Sequence, residues 1–399
     1  MKILVFSQYY FPEDFRINDI CEELVRRGHQ VTVITGMPNY PEGIVYKGYE
    51  KSYKAPEIIN GVKVIRCHNR PRKKGILNLL INYVSYYKKA NRIVRKMNEK
   101  YDVVYGYQMS PIMQVIPGIK YKAKFGVPLY IYVCDLWPES MKDFGSKHIS
   151  SKNIIYKYFL KLSKKIYTSA DRIGTKCEEF IDYLVDVCGV EKQKCAVVYE
   201  HAETNYLKAS ERPIDNRIVD FMYLGNIGHA SNCELIIKAA SKISNNNFKV
   251  HFVGDGSDLN NIKNLTTQLK LDDKVIFHGR CPQKEIVTYY DLADVCLLTL
   301  TDDSVVGMTP PAKLAGYMAA CRPIIASING AASRIIKEAN CGFVCPANDV
   351  EAFAEFMKKA IDNPRCLETF GNNGRTYFLK HLTLEKHITT LENELNFIK

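Results

Sequence analysis

Between Thr301 and Asn329 the chain reads TDDSVVGMTPPAKLAGYMAACRPIIASIN, and here residue types and spacing could do chemistry. A polar loop, Asp302-Asp303-Ser304, leads through Gly307-Met308-Thr309 to two prolines and a helix-forming run from Ala312 to Ala320. Pro310 and Pro311 stand where a helix can spare the donors they lack. A helix start presents unpaired N–H groups and a partial positive charge, and Lys313 adds a full one, so the segment suits a diphosphate. An ordinary crossover in a parallel sheet has the same outline, and that reading stays open beside the chemical one.

Three other strand ends carry related signals. Gly225-Asn226-Ile227-Gly228 follows a strand and opens a helix, so its backbone can approach an anion closely. His251-Phe252-Val253-Gly254-Asp255-Gly256 ends another strand in a G-x-G turn. Phe277-His278-Gly279-Arg280 ends a third, where a loop could read a planar base through backbone atoms. Each fits a plain tight turn; their joint arrangement with Met308 to Met318 points to one site. Other chemistries lack their signatures. Ser7 to Asp14 holds no GxGxxG, which argues against an NAD-dependent dehydrogenase, and no GxxxxGK[ST] loop or HExxH cluster occurs. No cofactor and no metal site is expected.

Such loops need sheets to hold them. Strand-like runs at Ile3–Ser7, Gln30–Thr35, Gly61–Arg66, Val103–Tyr105, Leu129–Val133, Arg172–Gly174 and Ala196–Tyr199 alternate with helical patterns. The helices include Asn18–Arg27, one near Pro117-Gly118, Ser151–Thr168 and Glu178–Val187. Around Ser210 to Asn216 the pattern lapses into polar, proline-marked chain. A second alternation then runs through Val219–Leu224, Glu234–Ser241, Phe248–Val253, Lys274–Phe277, Val295–Thr299 and Ile324–Ala326, with a helical tail from Val350. Repeated βαβ units mean parallel sheets. The expectation is α/β: two doubly wound Rossmann-like domains, 1–209 and 210–379, whose strand ends face a central cleft. A helix over about 380–399 packs back on the first.

At 399 residues two domains are natural, and 46% apolar with 25% charged residues describes a globular protein. The N-terminus lacks the apolar core of a signal peptide, and no apolar run approaches a membrane span. The thirteen cysteines form no CxxC pair, which fits buried thiols in a cytosolic protein. Net charge is +12, and Lys51 to Lys100 holds fourteen Lys or Arg against two acids, Glu57 and Glu99. Within 70–96, Ile76, Leu77, Leu80, Tyr83, Val84 and Tyr87 recur at helical spacing between cationic flanks. Such a helix can lie on an anionic membrane, or its apolar face can be core and its charges solvated. Nucleic acid is not expected, because no basic binding module is present.

Taken together, these loops resemble those of glycosyltransferase family 4, the retaining two-domain GT-B enzymes. The resemblance spans nearly the whole chain. MKILVFSQYYFPEDFRINDICEELVRRGHQVTVITGMPNYP looks like the family's opening βαβ unit, and YLGNIG, HFVGDG, VIFHG and PAKLAGYMAACRPIIA keep the family's order. Asp135-Leu136-Trp137-Pro138-Glu139-Ser140 is similar to the DLWPES signature of a bacterial surface-polysaccharide branch, the L-fucosamine-transferase-like proteins. Two departures stand out. The family commonly has a glutamate for the donor ribose where this chain has Gly316, with an earlier partner glutamate that maps onto Met308. A missing carboxylate removes charge-assisted hydrogen bonds of roughly 1.5–3 kcal/mol each. The glycine usual after the Met-Ala-Ala segment is Cys321.

The resemblance implies metal-independent transfer of a hexosyl or N-acetylhexosaminyl group from a nucleotide-diphosphate donor, by the family branch a UDP-sugar. The acceptor is a hydroxyl of a saccharide or lipid-linked oligosaccharide in capsule, O-antigen or exopolysaccharide synthesis. The basic apolar helix within 70–96 motivates the lipid-linked acceptor, and with the thiols it sets the expectation of a cytoplasmic protein, peripheral on the inner face of the cell membrane. Lys313, the N–H groups near Met308 and Thr309, and Asn226 stabilise the departing diphosphate. Arg16 is a second cation, reaching from the loop after the first strand. Gly225, Gly254 and Asp255 line the donor, Gly279 and Arg280 border its base, and Gly316 holds the ribose position. Asp135 and Glu139 contact the acceptor or cap local structure, and Glu200 to Glu203 line the cleft. Gly316 keeps open a non-catalytic nucleotide-sugar-binding partner, and the fold keeps open a sugar-nucleotide epimerase.

Overall fold

The computed structural model describes residues 1–73, 75–141, 152–210, 218–302 and 309–399. The chain divides into two compact units, Met1–Tyr199 with His387–Lys399, and Glu200–Lys386.

The first unit is built on β1 (Lys2–Phe6), β2 (Gln30–Thr35), β3 (Glu57–Ile59), β4 (Val62–Arg66), β5 (Val103–Gln108), β6 (Leu129–Val133), β7 (Arg172–Thr175) and β8 (Cys195–Val197). Their order is β3-β4-β2-β1-β5-β6-β7-β8. Neighbours pair in parallel from β4 to β8, and β3 pairs antiparallel with β4. Every residue of β6, Leu-Tyr-Ile-Tyr-Val, is buried, as a parallel strand covered on both faces requires. The three-residue edge strand β3 is absent from the sequence reading. Its signal is Asn60-Gly61, where positive φ at both residues makes the tight turn of a two-residue hairpin.

The helices are α1 (Ile17–Arg26), α2 (Ile76–Lys96), α3 (Ile116–Phe125, after a 3-10 turn at Ile112–Val115), α4 (Ile154–Thr168) and α5 (Glu178–Asp186). Asn153 starts α4 by accepting a hydrogen bond from the Ile155 N–H at 2.8 Å, so the helix begins later than Ser151. Gly126, at φ +65°, ends α3. On α2 the core face is Tyr83, Tyr86, Ala90 and Val94, all buried. Leu80, Val84 and Tyr87 are half-buried, and the side chains of Ile76 and Leu77 lie outside the description. The apolar stripe therefore serves the core, and Lys88, Arg92, Arg95 and Lys96 form the exposed face.

The second unit has β9 (Val219–Leu224), β10 (Phe248–Val253), β11 (Val275–Gly279), β12 (Val295–Thr299), β13 (Ile324–Ser327) and β14 (Gly342–Cys345), in the order β11-β10-β9-β12-β13-β14 and parallel throughout. Its helices are α6 (Cys233–Ser241), α7 (Leu259–Gln268), α8 (Ile286–Leu292), α9 (Ala312–Ala319), α10 (Gly330–Ala339), α11 (Val350–Asp362) and α12 (Glu368–His381). Phe221, Tyr223, Ile236, Phe353 and Met357 share its core. A 3-10 turn at Thr204–Lys208 packs on α8 and α9. A last helix, α13 (Leu384–Ile398), carries the chain back into the first unit. There Glu392 pairs with Arg27 and His29, both at 2.8 Å, and Glu394 pairs with Arg172.

Strand order reverses beside β1 in the first sheet and beside β9 in the second. At such switch points the loops leaving neighbouring strands part, opening a crevice at the carboxyl ends. No described helix is long and apolar enough to cross a membrane.

Candidate functional site

At the second unit's switch point three glycines end three neighbouring strands. Gly225 follows β9 at φ +135°, Gly254 follows β10 at φ +147°, and Gly279 closes β11 at φ +76°. The Gly225 N–H donates to Val253 O at 2.9 Å, and the Gly254 N–H donates to Gly279 O at 2.8 Å. A Cβ on Gly254 would stand 1.9 Å from Gly225 O. Glycine is required there because the two turns touch backbone to backbone.

Lys313, in the first turn of α9, lies over Gly225: a Cβ there would meet its Nζ at 3.1 Å. The ammonium donates to Tyr223 Oη at 2.6 Å and sits 3.9 Å from the centroid of the same ring. The Tyr223 hydroxyl in turn donates to Asn226 O at 2.8 Å. Tyr317, one turn along α9, fastens the helix to the strand ends, accepting from Leu224 N at 3.2 Å and donating to Leu297 O at 3.3 Å. Burial pushes the Lys313 amine down to about 8. Among the described residues this desolvated cation has no carboxylate partner, and such a cation favours an incoming anion.

The structure brings Gly225, Asn226, Gly254, Gly279 and Lys313 together. Within the loop the Gly225 and Ile227 N–H groups are held by Val253 O and Asp255 O, which leaves the Asn226 and Gly228 N–H groups with no acceptor among the described residues. Asp255 is exposed, and its Oδ1 accepts the Gly256 N–H at 2.7 Å. Arg280 is exposed immediately after Gly279. Thr309 is half-buried ahead of the two prolines, and Met308 lies outside the described residues. Gly316 is buried, and a Cβ there would stand 2.7 Å from Tyr290 Oη and 3.4 Å from the Tyr206 ring. That space belongs to tyrosines, so a longer side chain has no room. Sequence reasoning missed Tyr223, Tyr317, Tyr290 and Tyr206. The first two carry a spacing signal: Tyr223 shares a face of β9 with Phe221, and Tyr317 lies one turn past Lys313.

In the first unit Asp135 follows β6 and is half-buried. Its Oδ2 accepts from Ser110 N and Ser110 Oγ, both at 3.1 Å, and Trp137 Nε1 donates to that hydroxyl at 2.8 Å. Glu139 does not accompany it. Its side chain is turned into the interior, 5% exposed, where Oε1 accepts from the Tyr156 hydroxyl and from Tyr183 Oη at 3.1 Å. The expected acceptor contact at Glu139 is thus replaced by a structural one, because two buried hydroxyls need an acceptor. Arg16 is half-buried at the start of α1. Glu203 leads into the turn at Thr204–Lys208, and His201 is buried. Among the described residues no group of three or more His, Cys, Asp or Glu could hold a metal ion, and the twelve cysteines whose side chains are described are free thiols.

With this geometry in view, residues 16–205 match the model of Glycosyltransferase Family 4, and residues 208–377 match that of Glycosyl transferases group 1. The chain is 27% identical over 309 residues to the probable glycosyltransferase WbjE of Pseudomonas aeruginosa, covering 74% of this chain and 73% of that protein. It is 23% identical over 296 residues to the putative colanic acid biosynthesis glycosyl transferase WcaI of Escherichia coli K12, covering 69% and 71%. Its fold matches Anabaena Alr3699/HepE, solved in complex with UDP, at TM-score 0.71 and 14% identity over all of both chains. The architecture is GT-B.

Proposed function

We propose, for a chain that is by both of its domains a GT-B glycosyltransferase, that it moves a sugar from a UDP-sugar to a hydroxyl of a lipid-linked oligosaccharide, with retained anomeric configuration and without a metal. The observation that carries this reading is the Lys313 ammonium over Gly225 at the β9 switch point. As the sugar–oxygen bond breaks, negative charge grows on the departing diphosphate. Lys313 and the Asn226 N–H stabilise that charge more than the ground state, which lowers the barrier. Gly279 and Arg280 border the base, and Gly254 and Asp255 lie beside the diphosphate. Asp135, held by Ser110, contacts the acceptor, and Arg16 supplies a further cation from the first unit. In this reading Met1–Tyr199 binds the acceptor and Glu200–Lys386 binds the donor.

The Anabaena protein's complex with UDP favours that nucleotide, and the colanic acid role in WcaI's name favours surface polysaccharide as the product. The DLWPES segment favours the L-fucosamine-transferase-like branch. The cationic outer face of α2 favours a cytoplasmic protein peripheral on the inner membrane face. Nucleoside diphosphate release in the presence of acceptor lipid tests the reading. Lys313→Ala should abolish it, and release unchanged by that substitution overturns the proposal. A second reading, a non-catalytic nucleotide-sugar-binding partner, draws on the tyrosines that fill the place beside Gly316. It requires UDP binding without turnover by the wild-type chain.

A further inference from the structure

A cavity of about 420 Å³ opens on the first unit between α2 and α3, lined by Tyr87, Lys88, Asn91, Arg92, Arg95 and Lys120. The burial of Tyr83, Tyr86, Ala90 and Val94 sets the rotation of α2, so Lys88, Arg92 and Arg95, at i, i+4 and i+7, point outward along one stripe. Lys120 joins them from α3. Among the described residues none of these four cations has an ion-pair or side-chain hydrogen-bond partner. The segment's two acids are committed elsewhere: Glu57 to Arg66 at 3.6 Å, and Glu99 to Lys2 and Lys63 at 3.9 and 3.5 Å. Attraction of cations to a helix C-terminus accounts for Arg95 but not for Lys88 or Lys120.

Two further observations make this a built pocket. Lys124 of α3 donates to Arg95 O at 2.9 Å and Met97 O at 2.6 Å, fixing the end of α2 against α3. Asn91, 5% exposed, lines the cavity, and its buried Oδ1 has no hydrogen-bond partner. An amide can turn in place to offer N–H or C=O to a ligand. Converging unpaired cations repel one another until an anion joins them. Two guanidinium forks with two ammonium groups suit a phosphoryl group, whose oxygens accept several charge-assisted hydrogen bonds at once.

We propose that this cavity is a phosphoryl-binding site, separate from the donor site. Chain direction puts it toward the amino ends of the strands, since α2 leads into β5, whereas Asp135 leaves the carboxyl end of β6. The site deepens the membrane part of the reading above and rests on it only for the source of the phosphate, a lipid headgroup or a free phosphate ester.

The test compares the full-length chain with Lys88→Gln/Arg92→Gln/Arg95→Gln, all exposed positions, and with a charge-matched control, Lys51→Gln/Lys54→Gln/Lys100→Gln. Co-sedimentation with phosphatidylglycerol-containing vesicles forms one arm, and calorimetric titration with glycerol phosphate the other. At about fivefold per cation, the pocket variant should lose roughly a hundredfold in vesicle partition, and the control far less. That outcome assigns the phosphate to lipid. Glycerol phosphate binding lost in the pocket variant alone, with no vesicle binding by any form, keeps the pocket and removes the membrane. Equal losses in pocket variant and control, or no loss in either arm, overturn the proposal. Circular dichroism of each variant separates these results from misfolding.

Discussion

The hydroxyl of Tyr290 occupies the space that a side chain on Gly316 would need, 2.7 Å from where its Cβ would stand. Tyr290 is buried between Tyr206 and Tyr317, with ring centroids 5.3 and 6.2 Å away, and cannot swing clear without disturbing both. The position of Gly316 is here part of an aromatic core.

Gly316→Ala should therefore destabilise the protein, although glycine to alanine in a helix interior ordinarily stabilises by roughly 0.5–1 kcal/mol. Overpacking of about 1–3 kcal/mol outweighs that gain. Urea unfolding measures the sign. Adding Tyr290→Phe should recover part of the loss, and a gain in stability from Gly316→Ala alone would refute the packing account.

Donor binding should depend on pH if, as proposed, the donor diphosphate meets Lys313. Its amine, pushed down to about 8 by burial, is charged below that value and neutral above it. A bound diphosphate favours the ammonium and raises the value again. Affinity for UDP should be flat well below pH 8 and weaken as pH rises through 8, with proton uptake on binding near pH 8–8.5. Calorimetry in buffers of different ionisation enthalpy detects the uptake. Lys313→Gln should abolish the pH dependence and weaken binding by roughly 10–150-fold.

Asp135 and Glu139 should separate cleanly. Glu139→Ala leaves the Tyr156 and Tyr183 hydroxyls without their buried acceptor, at about 2–4 kcal/mol of stability. Glu139→Gln keeps an acceptor oxygen and should stay near wild type in both stability and acceptor KM. Asp135→Asn should raise acceptor KM with little effect on the melting temperature. Steady-state kinetics beside thermal unfolding distinguishes the two.

Glu392 ties α13 to α1 and to His29. Burial would raise its carboxyl, but hydrogen bonds from His29 and Arg27 outweigh that and hold it below the usual carboxylate range. A depressed value stabilises the fold above the unfolded pKa, near 4.3, and the contribution fades as pH falls through the folded value. Glu392→Gln should cost about 1–2 kcal/mol near pH 6.5, with the difference from wild type vanishing toward pH 3. Denaturant melts at several pH values give the comparison.

Strands β6, β9, β10 and β12 keep the bounds read from the sequence, since an apolar run of five or six residues between turn signals has few other ways to bury itself. Edge elements were harder. The three residues of β3 and the half-exposed β14 carry too little apolar signal, and only pairing with a neighbour defines them.

The same division runs through the site. Gly254 could be picked out in one dimension because a turn pressed backbone against backbone demands glycine, Gly225 and Gly279 because positive φ favours it, and Lys313 because it is a cation in the first turn of a helix. Glycine cannot announce what fills its missing side chain, and a carboxylate cannot announce which way it turns. Tyr290 beside Gly316, Tyr223 beneath Lys313 and the inward rotation of Glu139 depend on residues distant along the chain. Those contacts are set by packing, where shape and hydrogen-bond satisfaction are settled among neighbours that only the folded molecule assembles.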